Sequence, residues 1–190
     1  MQRLIEADVI NGIGWPERKG TLRVDLLHSV ILVGDSGVGK TSLLKRYVSS
    51  EDLRNVQPTL GIEYQSKLIE IQRGQRTERV RAKIWDTAGQ ERYKAVTGVQ
   101  LRYASGALVV FDLTNRKSFE NVKVWLDELP NLTKSETLVM IVGSKKDLVD
   151  KNPAARAVQT AELAELAKAR KCLYQETSAF YAPQSIEQTF

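Results

Sequence analysis

The sequence predicts an α/β fold, a doubly wound and mostly parallel β-sheet with helices on both faces and one antiparallel edge strand. Three observations predict it. From Val24 onward, apolar runs of strand length alternate with helical segments, the order of a chain that crosses repeatedly over one sheet. The second and third runs are separated only by Arg73, Gly74 and Gln75, which reads as a hairpin and sets one antiparallel edge on a parallel sheet. A glycine-rich loop stands between the first run and the first helix, at the carboxyl end of a strand, where the ligands of such sheets bind.

In chain order, residues 1–23 form a mixed leader ahead of a single domain, 24–190. Gly12, Gly14, Pro16 and Gly20 break any periodicity in the leader. Leu4, Ile5, Val9 and Ile10 suit one side of a short helix no better than they suit an ill-ordered extension. Strands are expected at 26–33, 62–72, 80–85, 107–112, 138–143 and 172–176, from their runs of apolar residues. Helices are expected at 40–49, 117–129 and 160–170, with a short last helix after Pro183 that reads as cut short. Thr160, ahead of Glu162 and Leu163, is the expected N-cap of the third.

Composition excludes several classes. The 190 residues suit one domain with a real core. Net charge is +5, with no long basic block. That balance is compatible with an anionic ligand or surface but does not argue for nucleic acid. No apolar run approaches the roughly 20 residues of a membrane span, and the N-terminus lacks the layout of a signal peptide. Gln2 excludes N-myristoylation. A single cysteine, Cys172, excludes an internal disulfide framework and reads as a small buried apolar residue. His28 reads as structural and Trp125 as part of the core.

Gly34-Asp35-Ser36-Gly37-Val38-Gly39-Lys40-Thr41 matches the Walker A pattern in full, between a strand and a helix as the motif requires. Gly37 and Gly39 let the backbone curl until successive N–H groups face phosphate oxygens. The helix N-terminus, running on through Ser42, adds partial positive charge. Lys40 suits the β and γ phosphates, and the Thr41 hydroxyl suits Mg²⁺. Ser36 is small and leaves room beside the terminal phosphate. Downstream, Asp86-Thr87-Ala88-Gly89-Gln90 ends another apolar strand. Asp86 there can hold Mg²⁺, Gly89 can bring its N–H to the terminal phosphate, and Gln90 can orient an attacking water.

These strings, followed by Gly143-Ser144-Lys145-Lys146-Asp147 and Glu176-Thr177-Ser178-Ala179, stand in the order found in Ras-superfamily small GTPases, which the chain resembles from about residue 24 to its end. The resemblance implies a P-loop NTPase G domain, with GTP or GDP and Mg²⁺ as ligands and two mobile switch segments. It implies that Thr59, in Gln57-Pro58-Thr59-Leu60-Gly61, joins Mg²⁺ when the γ-phosphate is present. It implies that Lys145 and Asp147 read the base, Asp147 by accepting both guanine N–H groups, and that the Ala179 N–H meets guanine O6 with Ser178 bracing the loop. Ser144 departs from the family's usual asparagine, which tethers the base loop to the phosphate loop and reaches the base. A lost buried hydrogen bond there predicts nucleotide affinity weaker by about 1–2 kcal/mol.

Thr59 to Tyr64, Ala82 to Asp86 and Glu91 to Tyr93 look like the Rab branch, with a leaning toward the recycling-endosome Rabs. The branch's exposed aromatic triad for effectors falls here on Tyr64, Trp85 and Gln100, so one aromatic is missing, and Trp85 reads equally well as core packing. The likeness implies a slow GTP/GDP switch in vesicle traffic. Its exchange factor, activating protein and effectors would act through segments 51–64 and 86–103, with the activating protein supplying the catalytic arginine. It implies a monomer in the cytoplasm, peripheral on endomembranes only through a lipidated tail beyond residue 190. A nucleotide-holding module that never cycles is the alternative.

Overall fold

The computed structural model describes residues 25–49, 59, 62–87, 101–133, 136–180 and 183–190. Six strands, β1 (Leu26–Val33), β2 (Ile62–Arg73), β3 (Arg76–Thr87), β4 (Gly106–Asp112), β5 (Leu138–Ser144) and β6 (Leu173–Glu176), form one sheet in the order β2-β3-β1-β4-β5-β6. β2 and β3 pair antiparallel from Ile62 opposite Thr87 to Arg73 opposite Arg76, closing on a two-residue turn at Gly74 and Gln75. The other pairs are parallel. The expected sheet, with its antiparallel edge, is therefore present. β3 begins four residues earlier than its apolar run, because Thr77, Glu78 and Arg79 are carried into the ladder by pairing with β2 rather than by burial.

Among the described residues, six α-helices accompany these strands: α1 (Lys40–Val48), α2 (Arg116–Glu120), α3 (Val122–Leu132), α4 (Lys146–Lys151), α5 (Thr160–Arg170) and α6 (Pro183–Thr189). Alternation along each strand sends side chains to opposite faces. Ile31, Val33, Val109, Phe111 and Ile141 pack with Leu126 and Leu129 of α3 and Leu163 of α5. Leu32, Leu108, Val110 and Val142 pack with Leu43, Leu44 and Tyr47 of α1 and Ile186 of α6. Fully buried side chains such as Phe111 and Leu163 each contribute on the order of 1.5–3 kcal/mol. Tyr47 also stacks on Phe190, with ring centroids 4.2 Å apart, and seats α6 against α1. No helix among the described residues is long and apolar enough to cross a membrane.

Three expectations are corrected. The helix expected at 117–129 is two, α2 and α3, joined at Asn121, whose side chain leaves the helix face for a partner described below. α3 also runs two residues past Pro130, which has no N–H to offer the Leu126 carbonyl one turn back. The N-cap of α5 is Gln159, not Thr160: Glu162 Oε1 accepts from the Gln159 N–H at 3.1 Å, while the Thr160 hydroxyl donates to Glu176 at 2.8 Å. α4 was not expected at all. The leader, 1–23, lies outside the described residues.

Candidate functional site

The phosphate loop joins β1 to α1, and its backbone demands glycine. A Cβ at Gly34 would stand 2.1 Å from the Val110 carbonyl oxygen, and Gly37 and Gly39 hold φ of 76° and 98°, a region L side chains rarely adopt. Gly39 is the N-cap of α1. Lys40 follows, 5% exposed, with Nζ donating to the carbonyls of Gly34 and Asp35 at 2.8 Å each. Burial lowers the Lys40 ammonium to about 8, against the pull of Asp86 and Asp35. A lysine so placed is short of negative charge.

Beside it, three oxygens converge from three segments. Asp86 Oδ2, near the end of β3, accepts from Thr41 Oγ1 at 2.5 Å and from Thr59 Oγ1 at 3.1 Å, and the two hydroxyls lie 2.7 Å apart. Asp86 is 1% exposed and its Oδ1 is buried without a hydrogen-bond partner. Burial raises the Asp86 carboxyl, opposed by the Thr41 hydroxyl and the Lys40 charge. One carboxylate with two hydroxyls is too little for an all-protein cation cage, and no cluster of three or more His, Cys, Asp or Glu occurs among the described residues. Such a donor set would suit a Mg²⁺ whose remaining ligands came from phosphate and water, and the orphaned Oδ1 would fit such an ion. Gly89 and Gln90, expected beside it, lie outside the described residues.

The second half of the site is a cavity of about 110 Å³ between the phosphate loop and the ends of β5 and β6. Gly39 and Ser42 line it from α1, Ser144, Lys145 and Asp147 from β5 and α4, and Ala179 from beyond β6. Asp147 is fixed by Ser178, whose hydroxyl donates to its Oδ1 at 2.6 Å, while the Phe180 N–H donates to that hydroxyl at 3.0 Å. Arg46 Nε donates to the Ala179 carbonyl at 2.6 Å. Lys145 takes φ of 59° and pairs with Asp112 at 2.7 Å. Farther out, Arg156 forms a two-pronged pair with Glu176 at 3.0 and 2.7 Å, bracing the loop that carries Ser178 and Ala179.

The structure brings Lys40, Thr41, Thr59 and Asp86 together in one half of the site and Ser144, Lys145, Asp147, Ser178 and Ala179 in the other, and it shows what the Ser144 hydroxyl touches. That serine keeps the tether: its hydroxyl lies 2.5 Å from the Val38 carbonyl of the phosphate loop and 2.7 Å from the Phe111 carbonyl. Only the reach toward the cavity is shortened. Sequence reasoning missed Leu148 and Phe180, which also line the cavity although 42% and 54% exposed. An aromatic directly after Ser178-Ala179 was the available signal. It also gave Trp125 only a place in the core; its indole N–H donates to Asp35 Oδ1 at 2.9 Å. Trp85 is buried at 7%, with its N–H on Ser29 Oγ at 2.9 Å, so of the expected exposed pair Tyr64 alone faces out, at 49%. Gln100 lies outside the described residues.

A family model described as "Ras family" matches residues 29–190. Among curated proteins, the chain is similar to the Ras-related protein RABA4a of Arabidopsis thaliana, 38% identical over 94% of this chain and 74% of that protein. It is likewise similar to RABA1h, 42% identical over 83% of this chain and 69% of the relative, and to RABA1c, 41% identical over 87% and 73%, both from Arabidopsis thaliana.

Proposed function

The chain belongs to the Ras family, as a Rab-related small GTPase and so a GTP hydrolase, and from that premise we propose how its residues divide the work. The phosphate loop, Asp35 to Thr41 with Ser42 behind it, holds the phosphates of GTP or GDP. Lys40 leaves the carbonyls of Gly34 and Asp35 for the β and γ oxygens, exchanging neutral acceptors for charged ones. Thr41, Thr59 and Asp86 hold Mg²⁺, which when bound neutralises charge building on the phosphate oxygens. Asp147 accepts the two guanine N–H groups, the Ala179 N–H meets the base oxygen, and Ser144 and Lys145 line the pocket between them. Phe180 offers its ring to the base.

Gly89 and Thr59 read the terminal phosphate, and Gln90 orients the water that attacks it. Once that phosphate leaves, both contacts are lost and the segments bearing them relax. Regulators and effectors engage 51–64 and 86–103, next to exposed Tyr64. The protein works as a monomer in vesicle-mediated transport, on the cytoplasmic side of endomembranes.

The observation that carries this reading is the convergence of the Thr41 and Thr59 hydroxyls on Asp86 Oδ2, with Oδ1 of the same carboxylate buried and unpartnered, close to the Lys40 charge. Denaturing the purified protein and identifying the released nucleotide by chromatography tests it. Stoichiometric GDP or GTP is expected; ATP or ADP would overturn the role of Asp147. Multiple-turnover phosphate release then separates a cycling switch from a module that only holds nucleotide. The expected intrinsic rate is on the order of 10⁻⁴ to 10⁻³ s⁻¹. Gln90→Leu should abolish stimulation by an activating protein while nucleotide stays bound, and undiminished stimulation would remove Gln90 from its role.

A further inference from the structure

A loop that cradles polyphosphate gains from positive charge and N–H groups and loses from a carboxylate. Asp35 puts a carboxylate in that loop, second in the motif and next to the glycine that lies close against β4. Its two oxygens are each taken by a different donor from α3. Asn121 Nδ2 donates to Oδ2 at 2.7 Å and Trp125 Nε1 donates to Oδ1 at 2.9 Å. Asn121 caps α3 and Trp125 lies four residues on, so the two side chains share one face of the helix. The main-chain carbonyl of the same aspartate accepts from Lys40. Asp35 thereby bonds α3 through its side chain and the phosphate-binding lysine through its backbone.

We propose that Asn121 and Trp125 are positioning residues for nucleotide retention: they hold the Asp35 carboxylate on α3, keeping its charge off the phosphates and the loop in its binding shape. Charge-assisted bonds of this kind are the stronger sort, and both partners are partly buried, where screening by salt is weak. Without the two donors the carboxylate is free to turn toward the phosphates, where its charge repels theirs. The effect is therefore electrostatic, larger for GTP than for GDP, and dependent on Asp35. A purely structural role for the Trp125 ring, which also packs on the core beneath α3, has none of these properties.

The inference rests on the nucleotide reading above, and the test separates the two. Dissociation of a fluorescent GDP and of a fluorescent GTP analogue is followed for wild type, Trp125→Phe and Asn121→Ala, each also in an Asp35→Ala background. Trp125→Phe keeps an aromatic ring in the core and removes only the N–H. Each single change is expected to raise GDP dissociation by about five- to tenfold, with a larger factor for the GTP analogue. In the Asp35→Ala background the same changes should act by less than about twofold, since coupled residues give non-additive effects. Unchanged dissociation in the single variants overturns the inference, as does an equal factor with and without Asp35. A wild-type chain that retains no labelled nucleotide overturns the nucleotide reading and this inference with it.

Discussion

The hydroxyl of Ser144 lies 2.5 Å from the carbonyl oxygen of Val38, joining the end of β5 to the phosphate loop across 106 residues of sequence. The tether usual for an asparagine at this position is kept by a shorter side chain, and the loss is confined to the cavity side. Ser144→Asn is expected to slow GDP release by about 5- to 30-fold, the factor for roughly 1–2 kcal/mol of one regained buried bond. Ser144→Ala is expected to speed it by a similar factor, because the Val38 carbonyl loses its donor. Displacement of fluorescent GDP measures both. If Ser144→Ala left the rate unchanged, the tether would have no bearing on retention.

Phe180 is more than half exposed yet lines the cavity beside Asp147, and its backbone is fixed through Ser178 to that aspartate. An aromatic ring so held suits the face of a planar base, a contact worth about 1–3 kcal/mol. Phe180→Ala should raise GDP dissociation by roughly tenfold, with little change in the thermal midpoint of nucleotide-free protein. Phe180→Tyr should restore retention. A loss of stability without a change in dissociation would make Phe180 a packing residue instead.

Metal removal gives a third test. With Thr41, Thr59 and Asp86 around a Mg²⁺ ion, chelation by EDTA should accelerate GDP release by roughly tenfold or more, because the phosphate charge loses its counter-ion. Thr41→Ala should release GDP quickly at the outset and respond little to EDTA. Equal acceleration in Thr41→Ala and wild type would take Thr41 out of the metal site.

The Arg156–Glu176 pair makes the loop after β6 sensitive to acid. Burial pushes the Glu176 carboxyl up, but the bonds from Arg156 and Thr160 outweigh it and hold the group below the usual 4.5. A depressed carboxyl contributes stability that is fully present above its unfolded value and is lost as pH falls through the folded value. Glu176→Gln should therefore cost about 1.5–3 kcal/mol at pH 7. The gap from wild type should close progressively below about pH 4.5. Urea denaturation at a series of pH values measures the gap, and a constant gap would show that the charge contributes nothing.

The sheet was legible because each strand carries its own apolar run, and the phosphate loop because its glycines, lysine and threonine sit together in the chain. α4 escaped notice because Lys146 to Lys151 is short and opens from Lys145 in a left-handed conformation, which no pattern of apolar residues announces. The break at Asn121 was hidden because Phe119, Val122 and Leu126 keep a helical spacing across it. The role of Trp125 could not be read at all: its partner is 90 residues away, and an indole on an apolar helix face looks the same in sequence with or without an acceptor.

Gly34 fitted against Val110, Asp35 bonded to α3 and Val38 bonded to Ser144 give the phosphate loop three supports, each on a different element of the fold. In engineering terms the loop is mounted rather than hung: a part held at two points can still rotate about the line between them, and a third point takes that rotation away. Opening the loop then means choosing which support to release, and the choice fixes the axis. Release at Ser144 leaves a swing about the Gly34–Asp35 end, while release at α3 leaves a swing about the line from Gly34 to Val38.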